Sequence, residues 1–140
     1  FIPYWFTSWY SQKLISKVWR ITGLFSNAIP GALVFQKGHV AFITIDAVQF
    51  NVPVSGLKDI KWPVTRMGLG FNAVLNDKKY KFSFSKPNPS SAEITIINGN
   101  PLPKVIFKSQ HFDDISSLKD LKKDKATARM WKEIFNNNLP

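Results

Sequence analysis

Residues 31–46 read GALVFQKGHVAFITID. Two apolar runs, ALVFQ at 32–36 and VAFITID at 40–46, flank Lys37-Gly38-His39. Gly38 can adopt the positive φ that a tight hairpin demands, so the stretch predicts two antiparallel strands and a short turn. A hairpin at this position sets a β-rich frame, and the flanking sequence is read against it.

Toward the C-terminus, 48–54 (VQFNVPV) puts Val48, Phe50, Val52 and Val54 on one face, with Pro53 marking an edge or a strand end. LKDIKWP at 57–63 has apolar Leu57, Ile60 and Trp62 at an offset that predicts a bulge or turn. GLGFNAVL (68–75) and YKFSFS (80–85) flank Asn76-Asp77-Lys78-Lys79, which reads as a four-residue hairpin loop. In the second of these, Tyr80, Phe82 and Phe84 alternate with Lys81, Ser83 and Ser85, the pattern of a half-buried strand. Gly68 and Gly70 suggest a bend or close backbone approach. EITIIN (93–98) and KVIFKS (104–109) predict two further strands. From 113 to 137 the spacing becomes helical, with Ile115, Leu118, Leu121, Ala128, Trp131 and Phe135 in one stripe and Asp113 or Asp114 as cap. The cluster Lys122 to Lys125 is a point at which this helix could divide.

Toward the N-terminus, Trp19, Ile21, Gly23 and Phe25 alternate with Arg20, Thr22 and Leu24, which predicts a strand ended by SNAIPG at 26–31. Before it, Phe6, Tyr10, Leu14 and Val18 recur four apart, and Thr7 or Ser8 can cap a short helix running to about Lys17. The chain begins FIPYWFTSWY, with six aromatic residues in ten and no charge. That is far shorter than the roughly 20 residues of a membrane span.

The chain has 140 residues, the size of one domain, and no cysteine, which excludes thiol nucleophiles, disulfides and thiolate metal sites. Net charge is +10. The excess is +4 over residues 1–45 and +5 over 46–110, whereas the last thirty residues carry six basic and five acidic side chains. A basic body of this kind favours lipid headgroups, nucleic acid or an acidic protein face.

Short strands joined by hairpins and closed by one amphipathic helix predict curved antiparallel sheets or a partly open barrel of about seven strands. Over about residues 17–137 this order resembles the pleckstrin-homology-like superfold, and within it the GRAM-type domain. The hairpin GALVFQKGHVAFITID and the segment VPVSGLKDIKWP carry the resemblance. It implies a non-enzymatic domain that binds phosphoinositides or peptides. In lipid-binding members, basic residues of the first hairpin usually hold the phosphates. Here that connection, SNAIPG, has no Lys or Arg. The better supplied candidates for an anion or headgroup contact are Lys58, Lys61, Arg66, Lys78, Lys79 and Lys81.

Enzyme signatures are sparse. His39 and His111 lack the spacing of a metal pair, Gly68-Leu69-Gly70 is not a phosphate loop, and no nucleophile motif is present. No catalytic residue, metal or cofactor is therefore expected. The expected function is a binding module for a protein partner or an anionic membrane surface, in a cytoplasmic or membrane-peripheral setting. Phe1, Trp5, Phe6 and Trp9 would supply an interface or membrane contact, as Trp, Tyr and Phe settle at bilayer interfaces and dominate protein interfaces. A structural role, including a homodimer through the N-terminal segment, is the alternative. Nucleic-acid binding is a second, and a small-ligand carrier a third. Single-strand binding needs aromatics interleaved with basic residues on one face, and in YKFSFS the rings and Lys81 point oppositely.

Overall fold

The computed structural model describes residues 13–23, 28–88, 91–99, 102–107 and 118–137. Among the described residues nine strands precede one helix: β1 (Leu14–Ile21), β2 (Ala28–Gln36), β3 (His39–Ile43), β4 (Val48–Pro53), β5 (Lys58–Lys61), β6 (Gly70–Leu75), β7 (Lys78–Ser83), β8 (Ile94–Ile97), β9 (Lys104–Phe107) and α1 (Leu118–Asn137). Seven strands form one curved antiparallel sheet in the order β4-β3-β2-β1-β7-β6-β5, and β8 pairs with β9. This sheet and its C-terminal helix are broadly consistent with a pleckstrin-homology-like shape.

Two hairpins follow from turn chemistry. In the β2–β3 turn, Lys37 and Gly38 have φ of 52° and 76°, and in the β6–β7 turn Asn76 and Asp77 have 51° and 66°. Positive φ at both central residues matches the twist of the flanking strands. The second turn is thus two residues long, not four: Leu75 pairs with Lys78, which puts Lys78 and Lys79 in β7.

Register gives every strand an inner and an outer face. Leu14, Ser16, Val18 and Arg20 of β1 share the inner face with Phe35, Leu33, Gly31 and Ile29 of β2. Leu33 and Phe35 lie opposite Phe42 and Val40, and Phe42 lies opposite Phe50. Gly31 is dictated by packing, since a Cβ there would sit 2.5 Å from the Ile43 carbonyl oxygen and 2.6 Å from the Phe42 ring. Phe71, Tyr80, Phe82 and Phe84 complete the inner core with α1. Trp131 is wholly buried, and its Nε1 donates to Ser16 Oγ at 2.9 Å. Phe135 sits with its ring centroid 4.9 Å from that of Phe71. The helix stripe read from Ala128, Trp131 and Phe135 is therefore core. The helix runs unbroken through Lys122–Lys125, because exposed lysines on its polar side need no interruption.

Besides the β6–β7 turn, the sequence reading fails in two places. Residues 14–17 form a strand, not the end of a helix; pairing with β2 along the whole of β1 outweighs the four-residue spacing. The rest of that helix, with Phe1, Trp5, Phe6 and Trp9, lies outside the described residues. Nor does the sheet close into a barrel. β4 and β5 stand at opposite ends of the strand order. Pro53 ends β4, a 3-10 turn at Val54–Gly56 follows, and β5 has four residues with a register shift, so no ladder joins the two.

Candidate functional site

The outer faces of the two halves of the sheet differ. On the β2–β3 side, Ala32, Val34, Ala41 and Ile43 face outward and are covered by Ile94 and Val105 of β8 and β9. Trp19 of β1 is buried on this side, its Nε1 donating to the Ala92 carbonyl at 2.8 Å. On the β5–β6–β7 side, no described element lies over the sheet, and the outward residues are mostly polar, with Val74 among them.

Cross-strand pairing assembles this second face. Lys58 lies opposite Val74, which lies opposite Lys79. Lys61 lies opposite Asn72, which lies opposite Lys81. Opposed residues point to the same side of an antiparallel pair. The four lysines therefore form two short rows around Val74 and Asn72, and all four are exposed. The bulge that keeps Lys58 and Lys61 on one face is made by Asp59, whose φ is 52°. Among the described residues the ion pair is Lys86–Glu93 at 3.1 Å, so none of these lysines is paired with an acid there.

Arg66 joins the face from the β5–β6 connection. Its Nη1 donates to Asn72 Oδ1 at 2.6 Å and to the Phe71 carbonyl at 3.3 Å. Its side chain crosses Gly70, where a Cβ would come within 3.0 Å of Arg66 Cδ. Partial burial lowers the guanidinium pKa from its ordinary value. Of the six basic residues singled out from sequence, five thus share one face. Lys78 does not: it follows the inner parity of Tyr80, and its Nζ lies 5.3 Å from the Tyr80 ring centroid.

A further cation borders the face. After the Arg20–Phe82 pair, β1 and β7 part. The notch between them, of about 360 Å³, is lined by Arg20, Ile21, Thr22, Gly23, Lys79 and Lys81. Arg20 stacks on Tyr80 with Cζ 4.4 Å from the ring centroid, and its buried Nε has no hydrogen-bond partner. Sequence reasoning left Arg20 out of the anion set. The signal was its even spacing from Val18, which marks the inner face once the strand begins at Leu14.

This geometry can bind and orient anions. Among the described residues no three His, Cys, Asp or Glu side chains cluster as a metal site, and no helix is long and apolar enough to cross a membrane. No protein-family model, curated protein or solved structure matches the chain.

Proposed function

We propose that this chain is a non-enzymatic binding module of GRAM-type, pleckstrin-homology-like architecture that docks on an anionic membrane surface. The docking face is the outer side of β5–β6–β7. One observation carries the reading: Lys58, Lys61, Lys79, Lys81 and Arg66 gather on a face where, among the described residues, no element covers the sheet and no acid pairs with the lysines. Five cations on one face raise the local positive potential, which favours an external anion over leaving the face empty. Near an anionic bilayer each lysine contributes about 1 kcal/mol, falling off within a Debye length. Arg20 extends the positive field into the notch beside Lys79 and Lys81.

Stacked nucleic-acid bases are a poorer fit. Asn72, Val74 and Ser83 occupy the positions on this face where aromatic platforms would have to stand.

The test is co-sedimentation with phosphatidylserine-containing and neutral phosphatidylcholine vesicles over a salt series. Binding should require the anionic lipid and weaken as salt rises. Lys79→Glu/Lys81→Glu should lower it by roughly a hundredfold, because two contacts become repulsions. A wild-type chain that ignores anionic vesicles at low salt refutes the proposal.

A further inference from the structure

The turn that carries Arg66 also carries the two most exposed large apolar side chains of the described residues: Val64 at 91% and Met67 at 72% exposure. From this we infer that the connection at residues 63–68 is a membrane-insertion tip. Val64 and Met67 enter the acyl boundary of the bilayer while the lysine face meets headgroups. The inference rests on the membrane reading above and adds a depth and an orientation to it.

Three observations support it. The tip is held in shape before any contact. Backbone N–H groups of Arg66, Met67 and Leu69 donate to the carbonyls of Pro63, Val64 and Arg66 at 3.1, 2.9 and 2.9 Å. Leu69 is buried beneath it, and Phe84 N–H donates to the Leu69 carbonyl at 2.7 Å. Ordering costs on binding are therefore small. The tip is also shaped for exposure: Met67 and Gly68 take φ of 54° and 73°, a reversal that leaves the Met67 side chain out in solvent.

Finally, Arg66 joins the tip to the charged face. Arg66 reaches Asn72, which stands between Lys61 and Lys81 on the outer face. Charge beside a protruding apolar tip is the combination that interfacial binding uses. A protein partner fits less well. Two convex side chains offer far less than the roughly 1,000 Å² a specific interface requires, whereas a bilayer needs no complementary pocket.

The chain has no cysteine, so a single one can be labelled with an environment-sensitive fluorophore. Met67→Cys is compared with Gln49→Cys, an exposed site on β4 at the far edge of the sheet. On phosphatidylserine vesicles the label at 67 should brighten and be quenched by lipids spin-labelled near the headgroup, while the label at 49 should not. Val64→Asp/Met67→Asp should weaken vesicle binding about tenfold or more with the salt dependence retained. Both positions are exposed, so its thermal midpoint should match wild type. Equal quenching at 67 and 49 on vesicles that the protein does bind would overturn the tip alone, as would unchanged affinity of the double variant. Failure of wild type to bind anionic vesicles would remove the membrane reading as well.

Discussion

The outward sides of β2–β3 and of β6–β7 belong to one sheet, yet one is dry and the other wet. In β2 and β3, residues of both parities are buried: Leu33 and Phe35 inward, Ala32 and Val34 outward. In β7 only Tyr80 and Phe82 are buried, and Lys79 and Lys81 face water. A strand covered on both sides reads as a continuous apolar run, and one covered on a single side alternates. The difference teaches that burial in this fold depends on what lies over each half. α1 covers the inner side and β8–β9 the outer side of β2–β3, whereas no described element covers the outer side of β5–β7, which carries charge.

The inner layer, common to both halves, sets the upper bound for any substitution. Trp131→Ala should cost about 3–5 kcal/mol, since it leaves a cavity and strands the Ser16 hydroxyl; urea denaturation measures this, and a loss under 1 kcal/mol would mean that α1 contributes little to the core. The comparison itself is tested by moving one charge between the outer faces. Val34→Lys puts an unpaired ammonium under Ile94 and Val105 and should cost about 3 kcal/mol or more. If it were as stable as wild type, β8–β9 would not be a cover. Val74→Lys, directly opposite both Lys58 and Lys79, should cost only about 1 kcal/mol, well below Val34→Lys. It should also raise affinity for phosphatidylserine vesicles roughly fivefold. Unchanged vesicle affinity would place the docking face elsewhere.

Much of this was legible. The hairpin at 31–46, the alternation of YKFSFS and the bulge in LKDIKWP follow from turn chemistry and period. The first strand was not, for a specific reason. Residues four apart share a face in a strand as well as in a helix, so Leu14 and Val18 fit both. The discriminating positions are Ser16 and Arg20, polar residues on the inner face. Ser16 is satisfied by the Trp131 indole and Arg20 is laid on Tyr80, contacts 115 and 60 positions along the chain that no local pattern reveals. The basic set was mostly found from sequence because lysine faces follow from register. Its assembly was not, because Arg66 reaches Asn72 through a turn whose path depends on Gly70 having no side chain. The cover supplied by β8–β9 had a signal in ALVF and VAFI, apolar at both parities.

Because the sheet is open, its end strands β4 and β5 have no further strand beside them among the described residues, and such a rim invites a neighbouring chain to add itself as another strand. Both rims here are blunted. β5 is four residues long, kinked at Asp59 and lysine-bearing, and β4 terminates in Pro53, which has no N–H to offer. Colloidal behaviour at high concentration therefore rests on a few rim residues. Straightening β5 or replacing Pro53 should raise self-association at high concentration, which light scattering would detect.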